Sequence, residues 1–500
     1  MLLFSLIALM LIPIWIVQYP SLQDYYNHLL KAKVLLDYSN SAMNYSNFYS
    51  IVHLPVPNSA STLVMAFLMM FFQPMVAGKI FLSIYVVLFP LSAMYLIRAA
   101  GSEIRPLHYI GFAFVYNPCF LGGYIDFCLS AAVVQFAVGY WLKTRNQINF
   151  GVGVKYTGFV LLTYLSHFWG LAILLGITGL LMLRESHARK LLWISCAVLA
   201  AALLGVYSRG TGERLTADYY GFTYQISIIR NFLSLPRLGA LPMDSLHLAT
   251  AGTLIILRLG LLVSFLYLAL KRRTPLFWIT VLMAVGYFIV PTQLGRMYEP
   301  GQRILVMIPA LFAASVAAMP TKRITNMLAI IMAICIVLPV AAATVFWGRE
   351  DRNLVDYSSV LSRIPAHKSV LHVIMLPAEE LTGLRKLAGS DVYRPEGFFG
   401  ANYNIQKGGF YLHTFTTGIV KVRPEIAPVS PWFIMQENFF WPDWLEKNHS
   451  VVSRNFDYIV LVGASDRAYK VLQTKYKKQF KTGYVELLVR RGSHGYAELR

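Results

Sequence analysis

The feature that most constrains this chain is a series of apolar blocks that runs from the N-terminus to about Phe346 and then stops. The blocks are roughly 15–24 residues long, the length needed to span a bilayer's hydrocarbon core. Their apolar centres include Tyr85–Leu96, Leu191–Val206, Leu254–Leu270, Ile304–Ala318 and Ile324–Phe346. Charged residues make up 14% of the chain, against about 25% in a soluble domain. The excess of apolar surface therefore requires lipid and not merely a larger core.

The net charge of +20 would suit a nucleic-acid binder, but its distribution argues otherwise. Lys and Arg sit in short gaps between apolar blocks: Arg98 and Arg105; Lys143 and Arg145; Arg184, Arg189 and Lys190; Lys271, Arg272 and Arg273; Lys322 and Arg323. That is the positive-inside pattern of cytoplasmic loops, and no nucleic acid is needed to account for it. The basic C-terminal tail suits anionic lipid headgroups. Cys119, Cys128, Cys196 and Cys335 all lie in or beside apolar blocks, so no disulfide framework is implied. Met1–Val17 lacks a basic n-region and a small-residue cleavage site, and reads as a retained first span.

These patterns predict an α-helical multi-pass membrane protein with roughly 11–13 spans. An N-terminus inside and a C-terminus outside require an odd number of crossings. Either Ser59–Val76 is not a simple crossing or one span is hidden. Residues 1–348 form the membrane part, with a large first outer loop at 18–58. Residues 349–500, richer in Tyr and Gly and with alternating patterns, form an extracytoplasmic α/β domain. Val370–Leu376, Tyr458–Val462 and Tyr484–Val489 read as strands, and Asp466–Tyr476 as a helix. The tail carries no Walker loop, dinucleotide fingerprint or metal-type Cys/His spacing.

The first outer loop is the most informative stretch. Taking Ser21–Leu36 as a helix puts Asp24, Asn27, His28 and Lys31 on one narrow face, opposite Leu22, Tyr25, Tyr26, Leu29, Ala32 and Leu36. This predicts an amphipathic helix in the membrane interface, holding a carboxylate and an imidazole one turn apart. Such a carboxylate serves as a general base, oriented by its neighbour. The competing reading makes Ser21 an N-cap and Asp24 its capping-box partner, and His28 an ordinary interfacial residue.

Four further sites stand out, each with a plain alternative. Asp126, in Gly122-Gly123-Tyr124-Ile125-Asp126-Phe127, ends a span and faces either a partner or the headgroups. His167, in Ser166-His167-Phe168-Trp169, fits an interfacial anchor better than a reacting group. Gly295-Arg296-Met297-Tyr298-Glu299-Pro300-Gly301-Gln302-Arg303 places two arginines on the outer side, against the positive-inside rule. Arginine grips phosphate bidentately, so a lipid phosphate is one ligand for them and Glu299 the other. The loop Ser208–His247 is longer than a connection needs and suits a cover over a site.

Together these segments resemble the GT-C class of membrane glycosyltransferases. The resemblance rests on Gln23-Asp24-Tyr25-Tyr26-Asn27-His28 after the first span, the Gly-Tyr-Ile-Asp-Phe turn, the Ser-His-Phe span end, the Gly-Arg…Gly-Gln-Arg loop and the tail segment Asn402–Phe415 with Lys407-Gly408-Gly409-Phe410. These short motifs recur in that order in bacterial GT-C-like proteins, and the resemblance covers nearly the whole chain. It implies transfer of a sugar from a polyprenyl-phosphate lipid to an envelope glycan, lipid or protein at the outer face of the plasma (inner) membrane. It also implies Asp24 as base, with His28 beside it and Asp126 as the candidate second acid, and Arg296 or Arg303 as the phosphate clamp. Many members of the class pair two acids in the first loop. Here Tyr25 follows Asp24, so dependence on a divalent metal stays open. Two other functions fit a chain of this kind: a transporter or flippase for a lipid-linked saccharide, and a non-catalytic assembly factor on the same scaffold.

Overall fold

The computed structural model describes residues 1–53, 55–102, 105–147, 149–183, 186–211, 217–219, 222–234, 237–238, 245–270, 273–294, 297–316, 322–374, 392–393, 396–412, 414, 418–423, 442–463, 466–483 and 485–492. The membrane part is built from α1 (Leu2–Ile16), α2 (Tyr25–Leu36), α3 (Ala60–Met69), α4 (Pro74–Ala99), α5 (Ile125–Thr144), α6 (Phe150–Ser166), α7 (Phe168–Met182), α8 (His187–Thr211), α9 (Phe222–Leu233), α10 (Ser245–Leu270), α11 (Pro275–Ile289), α12 (Pro300–Ser315) and α13 (Lys322–Ser362). Among the described residues, α4, α5, α8, α10 and α13 contain stretches long and apolar enough for a full crossing, and α1, α3, α7 and α11 are shorter apolar helices. The chain is a mostly helical multi-pass membrane fold. Its centre is α5, 83% of whose apolar stretch is buried inside the protein, whereas α8 buries 11% and lies at the periphery.

One passage through the bundle is not a continuous helix. Residues 105–121 run as a 3₁₀ turn (Arg105–Tyr109) and two four-residue helical turns (Ile110–Ala113 and Pro118–Leu121). Irregular backbone at membrane depth survives only where protein surrounds it, and Leu107, Ile110, Phe112, Ala113, Phe114, Val115 and Tyr116 are all buried. The freed carbonyls find donors. Tyr85 Oη donates to Val115 O at 3.1 Å, and Asn117 Nδ2 donates to Phe114 O at 3.0 Å. Arg258, at the middle of α10 and fully buried, donates to Ala113 O at 2.7 Å. Its other terminal nitrogen serves the end of α9, with Ser234 O at 3.0 Å, Phe232 O at 3.1 Å and Leu233 O at 3.4 Å.

The segment 59–76 is not a simple crossing. Ten residues of α3 rise only about 15 Å, half the hydrocarbon core. Its inner face holds Ser61, Thr62, Met65, Ala66 and Met69, while Leu63, Phe67, Met70 and Phe71 point outward. The element with the profile of a membrane-surface helix is therefore α3, and the expectation that α2 plays this part is corrected. α2 begins at Tyr25 instead of Ser21, and Tyr25 through Ala32 are all buried. His28 and Lys31 of the wheel's polar side both lie near Asp126, and the apolar side meets protein and not lipid.

The cover comes from the C-terminal part. α13 is 41 residues long, about 60 Å at 1.5 Å per residue, so it continues beyond its apolar stretch through the position near residue 349 where the composition changes. The Asp351 carboxylate on it accepts from Gln18 N at 2.9 Å and Tyr19 N at 2.7 Å, tying it to the exit of α1. Around its far end lie α14 (Glu396–Phe399), α15 (Ala401–Lys407), α16 (Pro442–Asn455), α17 (Asp466–Leu472) and a four-stranded sheet. With β1 (Tyr49–Ile51) in the first loop, the strands are β2 (Val370–Ile374), β3 (Val420–Val422), β4 (Tyr458–Val462), β5 (Tyr476–Thr482) and β6 (Val485–Arg490). The sheet order is β5-β6-β4-β2, with β2 and β4 parallel and the other pairs antiparallel. Three of these match the expected strands, although residues 375, 376 and 484 lie outside the described ones. The expected helix over Asp466–Tyr476 stops at Leu472, and Tyr476 opens β5, whose lysine-rich sequence hid it. Lysines on an edge strand oppose unwanted pairing.

The first loop and the C-terminal part interlock. β1 pairs antiparallel with β3, Tyr49 opposite Val422. Tyr45 Oη donates to Asn404 O at 2.7 Å and Gly409 N to Met43 O at 2.8 Å. Lys407 ends α13 by donating to Ser362 O at 2.8 Å and to Ile364 O. The tail motif is thus structural: with α14 it clamps α2 onto the bundle helices α3 and α4, and His413 and Phe415 lie outside the described residues.

Candidate functional site

At the end of the bundle beneath this clamp, an otherwise apolar interior turns polar. Asp24 is the N-cap residue of α2, but its side chain makes no cap hydrogen bond. Ser21, the competing cap, is buried with no hydrogen-bond partner for Oγ among the described residues. The capping box is therefore not formed. Asp24 is instead set by its backbone: its N–H donates to Gly122 O at 3.1 Å, and its C=O accepts from Asn27 N at 3.1 Å. The Gly122–Tyr124 turn lies directly against it. Gly123 has φ +77°, and a Cβ there would come within 2.6 Å of Asp24 N and 2.8 Å of Tyr25 N. Glycine is required at that position by both the backbone conformation and the close approach.

Arg303 and Glu299 bear on Asp24 with opposite sign. Both are buried, at the start of α12 and at its N-cap. The Arg303 guanidinium lies 4.6 Å from the centre of the Tyr124 ring and 5.8 Å from that of Phe127, and donates to Glu299 O at 3.1 Å. Glu299 takes a left-handed backbone, φ 53°, and its Oε1 accepts from Tyr224 Oη at 2.8 Å. Burial is the largest influence on Asp24 and pushes its carboxyl up to about 7; a hydrogen bond from Gln23 and the charge of Arg303 oppose that rise, and Glu299 adds to it. The residue keeps part of its surface open to solvent, which tempers the effect of the protein packed around it. The acid that bears on Asp24 is thus Glu299, which the sequence offered only as a salt-bridge partner for the arginines. Arg296 lies outside the described residues.

Asp126 belongs to a neighbouring group. Ser61 Oγ donates to its Oδ1, and His28 Nδ1 stands 3.6 Å from its Oδ2. Lys31, one turn beyond His28, is fully buried and electrostatically coupled to Asp126. Burial holds the His28 imidazole well below its usual range, and the charge of Lys31 lowers it further. His167 completes the neighbourhood: its Nδ1 accepts from Trp169 N at 3.1 Å as the cap of α7, and its ring meets Phe127 edge-on at 5.6 Å. That is a structural employment. Ser61, Tyr224 and Glu299 were not readable as site residues, because each joins the others only through helix packing. Arg209, Arg214 and Arg237 of the long loop have side chains outside the described residues.

Chemically, the group offers a carboxylate poised near neutrality, a cation beside it, and a second acid–imidazole pair one turn along α2. Among the described residues no set of three or more His, Cys, Asp and Glu is arranged to hold a metal ion.

No family model matches the sequence, and no curated protein matches it. Among solved structures the chain is similar to ArnT from Cupriavidus metallidurans, crystallised bound to undecaprenyl phosphate, with a TM-score of 0.53 over 98% of both chains at 11% identity. At that identity the likeness is one of architecture, and the chain has a GT-C-like membrane fold with a C-terminal strand-containing region.

Proposed function

We propose that the protein is a membrane glycosyltransferase that moves a sugar from a polyprenyl-phosphate lipid to an envelope acceptor at the outer face of the plasma membrane. The observation that carries this reading is the meeting of Asp24, Arg303 and Glu299 at one end of an apolar bundle of GT-C-like fold. The undecaprenyl phosphate bound by the structural neighbour supports the lipid class. In this reading Asp24 accepts the proton of the acceptor hydroxyl as its oxygen attacks the anomeric carbon. The carbon–oxygen bond to phosphate breaks, and the polyprenyl phosphate leaves with its charge stabilised by Arg303. Arg296 is the alternative clamp. Asp126 and His28 form the second acid–imidazole pair, one turn along α2 from Asp24.

The basic gaps between spans support an extracytoplasmic C-terminal part. A reporter active only in the cytoplasm, fused after Arg500, should be silent, and a bright signal would reverse the orientation. The chemistry is tested by identifying the co-purified lipid by mass spectrometry and assaying transfer from its glycosylated form. Asp24→Asn should fold normally and lose most of its transfer. Near-normal transfer would reduce Asp24 to a structural acid.

A further inference from the structure

The polar face of α2 extends past the residues used above. Lys31 stands seven residues beyond Asp24, about 10 Å along the helix. Its Nζ is fully buried and has no hydrogen-bond partner among the described residues. An ammonium carries three donors and no acceptor, and burying it unpaired is costly. The arrangement is explained if a ligand supplies the missing acceptor.

The surroundings show what kind of ligand. Asp126 is near enough to act on the Lys31 charge, yet the two form no ion pair. From the C-terminal part, Gly418 approaches with φ +88°; a Cβ there would lie 3.2 Å from Lys31 Nζ and 2.9 Å from Asn58 O. Any side chain at 418 would crowd both a donor and a carbonyl acceptor, and glycine leaves the two uncovered. A simple anion would meet the ammonium but be repelled by the Asn58 carbonyl and the Asp126 carboxylate. A hydroxyl accepts one hydrogen bond and donates another, so it satisfies both sides. Adjacent hydroxyls on a ring would satisfy all three groups.

We propose that Lys31, Asp126 and the Asn58 carbonyl, left uncrowded by the glycine at 418, form the subsite that holds the hydroxyls of the transferred sugar. This rests on the glycosyltransferase reading and deepens it: Arg303 meets the lipid phosphate, and Lys31 reads the sugar further along α2. Lys31 is then a binding residue that sets sugar preference and takes no proton.

The test measures binding by the full-length protein in nanodiscs, with bare undecaprenyl phosphate and its glucosyl, mannosyl and galactosyl forms as probes. Wild type should bind at least one glycosylated form roughly tenfold or more tighter than the bare lipid, the scale of a hydrogen bond to a charged group. Lys31→Met should lose that increment while binding the bare lipid as wild type does, and should melt no lower than wild type, because an unpartnered buried charge is gone. The proposal is overturned if Lys31→Met keeps the sugar preference, if it weakens bare and glycosylated lipids equally, if it is markedly destabilised, or if wild type prefers none of the three sugars. Turnover is not part of the readout. An Asp24→Asn variant that keeps transferring would sink the catalytic reading while leaving this binding difference to stand or fall by itself.

Discussion

Two buried arginines in the same bundle are put to different uses. Arg258, at the middle of α10, gives its terminal nitrogens to the carbonyls of Ala113, Phe232, Leu233 and Ser234 and rests against the Phe114 ring at 4.8 Å. It closes two helix ends that the bilayer could not hydrate. Arg303, at the start of α12, lies among groups that change charge or carry reactive atoms: Asp24, Cys119, Tyr124 and His167 all feel it. A charge at membrane depth is often taken as a functional signal. The contrast shows that its neighbours decide. Backbone carbonyls make the arginine a staple, and a carboxylate open to solvent marks it as part of a candidate site. It also weakens the transporter reading, since the clearest mid-span charge is committed to holding the fold.

The comparison breaks most visibly at Asp24. Asp24→Asn should reduce transfer roughly 100- to 10,000-fold, the contribution of a general base, with no loss of thermal stability. Arg258→Met should do the reverse. Leaving buried carbonyls without donors should lower stability by roughly 3–5 kcal/mol, read as a large drop in melting temperature in detergent. Any protein that survives should still bind donor lipid. A stable Arg258→Met variant that lost lipid binding would erase the distinction between the two arginines.

How far the sequence reached depends on whether a feature is local. Apolar block length and basic gaps are local, and they led to the multi-pass helical fold. The wheel over Ser21–Leu36 likewise put Asp24, His28 and Lys31 on one face. What that face meets was beyond it: Ser61, Gly123, Glu299 and Gly418 come from four separate regions of the chain. The same limit explains the misplaced surface helix. Both α2 and α3 carry an apolar side, and only the C-terminal cover, hundreds of residues away, decides which of them is left facing lipid. The broken passage at 105–121 was equally hidden, because its stability depends on Tyr85 and Arg258.

Two smaller effects sharpen the Arg303 side. Lysine keeps the charge but not the planar fork, so Arg303→Lys should weaken binding of undecaprenyl phosphate by roughly tenfold, whereas Arg258→Lys should leave that binding unchanged in whatever folds. The pH dependence follows from Asp24, whose carboxyl burial raises to about 7. A base must be ionised, so transfer should rise with pH through about 7, and the Asn variant should lack that limb. The sign for stability is opposite. The folded state holds the Asp24 proton more tightly than the unfolded chain does, so raising the pH from about 4 to 7 costs the folded state. The Asn variant should gain on wild type in melting temperature over that window. A flat difference would mean that the open part of the Asp24 surface cancels the effect of burial.

The smallest expected effect tests whether the membrane-surface helix is tied to the site. Ser61 lies on the inner face of α3 and donates to Asp126 Oδ1, while Leu63 and Phe67 of the same helix point outward. Ser61→Ala removes that donor and leaves Asp126 with His28, at 3.6 Å. A hydrogen bond to a charged group is worth roughly 1.5–3 kcal/mol, and the longer His28 contact offsets part of the loss, so binding of glycosylated lipid should weaken by about fivefold with bare-lipid binding unchanged. Phe67→Ala touches only the outward face and should leave both unchanged in a bilayer. If Ser61→Ala instead weakened the bare lipid, Asp126 would act on the phosphate end of α2, and the division between Arg303 and Lys31 would have to be redrawn.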